Sequence, residues 1–193
     1  MRIFSIPEQK IKVTHLAADP AIPDHQILLP NPGGRPFLLY VGIRSKHKNF
    51  ERLVRAFANS PRLMKEMDLV VFTPFAFSKE ELNLFQQLGF GADQVRRESG
   101  HDRKLFGFFK MAQAFVYPSK YEGFGIPPLE AMTYGCPVAC SNSSSLPEVV
   151  GDAALTFDPE NQEEMTVKLE KFAFDEELRQ ELVRKGFERI NLF

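Results

Sequence analysis

Apolar positions along this 193-residue chain fall into two alternating patterns. The first is a set of short continuous apolar runs: FLLYVG at 37 to 42, DLVVFT at 68 to 73, AFVYPS at 114 to 119, PVACS at 137 to 141 and ALTFD at 154 to 158. Such runs predict strands buried on both faces of a parallel sheet, and QVRRE at 94 to 98 adds a shorter, more polar strand. The second pattern has helical spacing. It covers 49 to 59, with Asn49 as N-cap and Phe50, Leu53, Val54 and Phe57 on one face, then 78 to 88, 102 to 112 and 127 to 134. Two further helices, about 161 to 172 and 175 to 189, close the chain. Strands alternating with helices predict an α/β fold: a parallel sheet with right-handed crossovers and helices on both faces. Ligands of such sheets bind beyond the carboxyl ends of the strands. The loops Gly42 to Asn49 and Ser119 to Pro127 both follow strands and therefore belong on that edge.

Residues 1 to 36 read differently. IKVTHL at 11 to 16 has the pattern of one strand, but Pro20, Pro23, Pro30, Pro32 and Pro36 with Gly33 and Gly34 predict an irregular connector. The expected division is thus a connector or hinge segment over 1 to 36 and a folded domain over 37 to 193.

Composition narrows the partners. Twenty-four Lys and Arg against 25 Asp and Glu leave a net charge of -1, which gives no general attraction to nucleic acid or to an anionic membrane. No nucleic-acid partner is expected, and any basic function must be local. Nineteen Phe and no Trp are read as core packing. Cys136 and Cys140 share a face of a strand about 13 Å apart, too far for a disulfide, and are expected as buried free thiols of a reducing, cytoplasmic compartment. No apolar stretch approaches the roughly 18 residues of a membrane span, and no His/Cys/Asp cluster has metal-ligand spacing.

The chemistry concentrates in YEGFGIPPLEA, residues 121 to 131. Glu122 and Glu130 flank seven residues, and on an uninterrupted helix they would lie roughly 80° apart. Gly123, Gly125, Pro127 and Pro128 forbid that helix. They predict instead a loop carrying Glu122 and a helix that starts at the prolines with Glu130 just inside. Unpaired N–H groups at that helix start favour an anion. The loop GIRSKHKN brings Arg44, Lys46, His47 and Lys48 to the same edge, where cations can neutralise a diphosphate. Taken alone, each feature has a plainer reading: a solvated basic loop, an exposed loop acid at Glu122, a helix-dipole acid at Glu130. SNSSSLPEVVGDAA also follows a strand and either lines the same cleft or is a loop with capping serines. His101 is read as a neighbour of the helix start that follows it. The chain has no G-x-S-x-G, no Walker lysine motif and no G-x-G-x-x-G after a strand.

The stretch AFVYPSKYEGFGIPPLEAMTYGCPVACSNSSSLPEVVGDAALTFDP closely resembles the C-terminal signature of the retaining glycosyltransferases of family 4, the group 1 transferases. FLLYVGIRSKHKNFERLVRAF resembles their phosphate-gripping strand, loop and helix, and IKVTHLAADPAI their segment leading out of the interdomain hinge. The resemblance implies a Rossmann-like domain, one half of a GT-B fold, with a nucleotide diphosphate sugar, UDP- or GDP-linked, as donor and no metal or other cofactor. It implies that Glu122 lies beside the donor-sugar hydroxyls and Glu130 at the ribose hydroxyls. The backbone of Gly123, Phe124, Gly125 and Ile126 would touch sugar and phosphate, and Lys48 and Arg44 would hold the diphosphate. Many members place that arginine directly after the strand glycine, where this chain has Ile43. At VVFTPFAFS, Thr73, Pro74 and Phe75 stand where relatives often carry a glycine-rich turn. The implied activity is retaining transfer of a hexose, mannose or glucose, to a saccharide or lipid-linked acceptor in polysaccharide synthesis. The acceptor domain would precede this chain, leaving it inactive alone, and the full-length enzyme would be cytoplasmic or peripheral to a membrane. The competing reading is a non-catalytic nucleotide-binding or protein-interaction module of the same fold.

Overall fold

The computed structural model describes Leu16, Pro23, Ile27 and residues 34–193. The strand expected over 11 to 16 and the proline-rich connector otherwise lie outside the described residues. The order is β1 (Phe37–Val41), α1 (Phe50–Ala58), α2 (Pro61–Glu66), β2 (Asp68–Phe72), α3 (Lys79–Gln87), β3 (Val95–Glu98), α4 (Asp102–Met111) and β4 (Ala114–Tyr117). It continues with α5 (Ile126–Thr133), β5 (Val138–Ser141), α6 (Leu146–Val150), β6 (Ala154–Phe157), α7 (Gln162–Phe174) and α8 (Glu176–Arg189). Each strand and helix predicted over 37 to 193 is present, with ends shifted by up to two residues.

Two helices escape the sequence reading. α2 has six residues, too few to show a period, though its start is signalled: Pro61 occupies the first turn and the Ser60 hydroxyl accepts from Leu63 N. α6 falls within the run SNSSSLPEVVGDAA, which follows a strand and has one reading as a loop, and it is one turn and a half of helix.

The six strands form one parallel sheet in the order β3-β2-β1-β4-β5-β6. Period-2 alternation divides the apolar strands between two cores. Phe37 and Leu39 of β1 point to the side of Phe108 and Phe109 of α4, Leu129 of α5 and Val149 of α6. Leu38 and Tyr40 point to the side of Leu53 and Phe57 of α1, Phe85 of α3 and Leu169 of α7. Several phenylalanines pack in edge contact, as in Phe109 with Phe115 and Phe37 with Phe108, each buried ring contributing about 2 to 3 kcal/mol. Cys136 and Cys140 are buried and unbridged, as expected.

The order reverses direction between β1 and β4. Their following helices leave to opposite faces, α1 to one core and α5 to the other, so a crevice opens beyond the carboxyl ends of these two strands.

Candidate functional site at the strand switch point

The loop after β1 crosses the crevice mouth in a tight path. The buried Tyr40 hydroxyl donates to Ile43 O at 2.7 Å, and Lys46–Lys48 form a single 3-10 turn. Asn49, at φ 58, joins that turn directly to α1. It occupies the expected N-cap position without capping by its side chain, whose amide donates to Pro159 O at 2.9 Å. The turn is basic throughout, and Lys48 is the residue that faces the opposite loop.

That loop, after β4, carries Glu122. Lys48 Nζ donates to Glu122 Oε1 at 2.7 Å and to the Tyr117 hydroxyl at 3.1 Å. Both partners of the ion pair are largely shielded, with side-chain exposures of 18% and 14%. Burial raises the Glu122 carboxyl, but Lys48 and the neighbouring Ser119 and Tyr117 hydroxyls outweigh it and hold the carboxyl below its usual value. Tyr117 is driven the other way by burial and by the Glu122 carboxylate, so its phenol stays protonated. Lys120 N donates to His47 O at 2.8 Å and ties the two loops together by their backbones.

Gly125 is the N-cap of α5 at φ 114, and a Cβ there would lie 2.7 Å from Leu146 Cδ2. Gly123 is different: a Cβ would meet nothing within 4 Å, so this glycine faces open space. Pro127 and Pro128 fall in the first turn of α5 and carry no N–H, so they remove donors that a helix start normally offers. The amides of Gly123, Phe124 and Gly125 donate to no partner among the described residues. An anion at this helix start would therefore be met mainly by the loop amides and Ile126. Glu130 lies on the second turn of α5, half-buried.

Three successive serines brace the loop from behind. Ser143 Oγ donates to Lys120 O at 3.0 Å, Ser144 Oγ accepts from Glu122 N at 2.9 Å, and Ser145 Oγ donates to Phe124 O at 2.7 Å and Glu122 O at 3.0 Å. The polar run after β5 thus holds the Glu122 loop through its hydroxyls.

Arg44 is not brought to this group. Its guanidinium forms a bidentate pair with Glu81 at 2.5 and 3.0 Å and reaches Thr73 Oγ1 at 3.1 Å, Phe75 O at 3.2 Å and Ala76 O at 2.6 Å. It also lies over the Phe77 ring at 5.0 Å. Arg44 thereby holds the β2–α3 connection, the segment that contains Thr73, Pro74 and Phe75. Beside it opens a cavity of about 960 Å³ on the α1 and α3 side, lined by Lys46, Arg52, Arg55 and Lys120 but not by Lys48 or Glu122. Its cations are mostly matched, Arg55 to Glu51 and both Arg52 and Lys120 to Glu160, so it is a poor anion trap.

Tyr117 was missed by sequence reasoning. The available signal was an aromatic with a polar tip closing a buried strand immediately before Pro118. His101 sits at the N-cap of α4 and makes no side-chain cap bond. Among the described residues no group of three or more His, Cys, Asp or Glu could hold a metal, and no helix is long and apolar enough to cross a membrane.

Comparison with known proteins agrees with this fold. The pattern of the family described as "Glycosyl transferases group 1" matches residues 24–189. The O-antigen chain mannosyltransferase B of Escherichia coli is 30% identical over 208 residues, covering 100% of this chain and 53% of the relative. Among solved structures, sucrose-phosphate synthase from Thermosynechococcus elongatus superimposes with a TM-score of 0.70 at 27% identity, over 82% of this chain and 41% of its own. The C-terminal domain of a group 1 glycosyl transferase (LpcC) from Francisella tularensis gives a TM-score of 0.70 at 23% identity, over 88% of both chains, a likeness of fold. The chain spans about half the length of that mannosyltransferase.

Proposed function

The chain belongs to the group 1 glycosyltransferases, and from that premise we propose that it binds a nucleotide diphosphate sugar in the β1/β4 crevice and serves retaining transfer of a hexose. The observation that carries this reading is the Lys48–Glu122 pair at 2.7 Å beside the α5 start. In this reading Lys48 grips the diphosphate, Glu122 lies beside the sugar hydroxyls, and Glu130 meets the ribose. The amides of Gly123 to Ile126 receive phosphate and sugar oxygens, and Arg44 acts from the flank by shaping the neighbouring loop. Mannose is favoured as the sugar, with glucose second, because the relatives include mannosyltransferases and a sucrose-phosphate synthase.

Glu122 neutralises the Lys48 ammonium in this geometry. A diphosphate competes for that ammonium, and the released carboxylate is left to accept hydrogen bonds from sugar hydroxyls. Cleavage of the bond between anomeric carbon and phosphate builds negative charge on the leaving diphosphate, which a fixed ammonium and fixed amides stabilise. A carboxyl held below its usual range is ionised at neutral pH, which favours a positioning role for Glu122 over general acid.

Titration calorimetry with GDP, UDP and ADP tests the reading, with Lys48→Ala and Glu130→Ala alongside. Saturable binding of GDP or UDP, weakened roughly tenfold or more by Lys48→Ala, is the expected result. A folded wild-type chain that takes up none of the three nucleotides would overturn it. That absence of binding would favour the protein-interaction module of the same fold.

A further inference from the structure

The run Ser143-Ser144-Ser145 uses its hydroxyls in ways that local folding does not ask for. Ser145 stands at the N-cap of α6, where a serine ordinarily accepts from its own helix. It makes no such cap bond and instead donates across the loop to Glu122 O and Phe124 O. Ser144 sits at φ 50, in the left-handed region that glycine or asparagine occupies at least steric expense. It is a serine nonetheless, and its hydroxyl accepts the Glu122 N–H. Two adjacent residues thus forgo the locally favoured arrangement, and both turn to the backbone of one loop residue.

The consequence for the loop follows from peptide geometry. In a trans peptide the carbonyl and the next N–H point in opposite directions, and no cis bond occurs among the described residues. Drawing the Glu122 and Phe124 carbonyls onto Ser145 therefore turns the N–H groups of Gly123 and Gly125 away from it. Those are amides with no partner among the described residues. They matter more here than at an ordinary helix start, because Pro127 and Pro128 remove two of its donors.

We infer that Ser144 and Ser145 are positioning residues for the donor site: they fix the peptide planes of the Glu122 loop so that the Gly123 and Gly125 amides stand ready for a ligand anion. The inference rests on the donor-site reading above and adds residues that act through the loop, without themselves touching ligand. Ser144→Gly gives the sharpest test. Glycine relieves the left-handed backbone while deleting the hydroxyl, so a merely structural serine would be replaced with unchanged or higher melting temperature and unchanged affinity. A positioning serine predicts unchanged or higher melting temperature together with nucleoside diphosphate binding weakened roughly fivefold. Ser145→Ala should weaken binding similarly and speed amide hydrogen exchange at Gly123 to Ile126, and Ser145→Thr, which keeps the hydroxyl, should restore both. The inference is overturned if Ser144→Gly and Ser145→Ala bind GDP and UDP as the wild type does with unaltered exchange in the loop. A wild-type chain that binds neither nucleotide defeats the donor-site reading, while the exchange measurement still decides whether the serines hold the loop.

Discussion

Lys48 and Glu122, separated by 74 positions in the chain, meet at 2.7 Å across the mouth of the crevice between β1 and β4. The Glu122 carboxyl is held below its usual range because Lys48 and two hydroxyls outweigh the effect of burial. A depressed carboxyl contributes stability that is present above the unfolded glutamate value, about 4.3, and is lost as pH falls through the lower folded value. Glu122→Gln should therefore cost roughly 1 kcal/mol near neutral pH after allowance for partial solvent screening. Urea unfolding of both proteins from about pH 6 down to about pH 3 should show that difference shrinking on acidification. A difference that grows instead would contradict the ion pair.

The two thiols give a prediction at the other end of the scale. Burial pushes the Cys140 thiol up to about 12 and raises Cys136 as well. Neither should react with a thiol reagent in the native chain, and both should react on unfolding. Because the unfolded thiols ionise near 8.5 while the folded ones do not, their contribution is complete below that value and declines as pH rises above it. Stability of the wild type relative to Cys140→Ala should fall between about pH 8 and pH 10, measured by urea titration.

Much of this was legible in the sequence because buried parallel strands are continuous apolar runs and because Pro127 and Pro128 mark a helix start. The edge of the sheet that carries the site followed from the same alternation. What sequence could not give was the direction of long or polar side chains. Asn49 occupies the expected cap position, yet its amide is drawn to Pro159, far along the chain. Arg44 and Glu81 lie 37 positions apart, and nothing local in GIRSKHKN distinguishes an arginine facing the crevice from one facing the next loop. The serines after β5 looked like possible caps, and only the packed structure shows Ser145 serving a different segment.

Gly123 and Gly125 should separate local folding from ligand approach. Gly125→Ala places a side chain at φ 114 and drives its Cβ to 2.7 Å from the buried Leu146, so it should cost about 1 to 3 kcal/mol. Gly123→Ala meets nothing within 4 Å and should change stability by less than about 0.5 kcal/mol. If the open space at Gly123 is where the donor approaches, the alanine variant should keep its melting temperature and still bind GDP or UDP more weakly. Equal melting temperatures for both variants would refute the distinction.

Arg44 offers a test between its observed partners and the role that family resemblance implies. Its guanidinium engages Glu81, Thr73, Phe75 and Ala76, with a side-chain exposure of only 7%. Lysine cannot reproduce a planar fork bonded on so many sides. Arg44→Lys should therefore lower stability by about 2 to 4 kcal/mol by leaving Glu81 and loop carbonyls without their donor. Limited proteolysis should find the 73 to 78 loop more readily cut than in the wild type. Measured at a temperature where the variant remains folded, its loss of nucleotide affinity should be smaller than that of Lys48→Ala, because the ammonium that faces Glu122 is untouched. An affinity loss as large as that of Lys48→Ala would mean that Arg44 leaves Glu81 and turns to the diphosphate when donor binds.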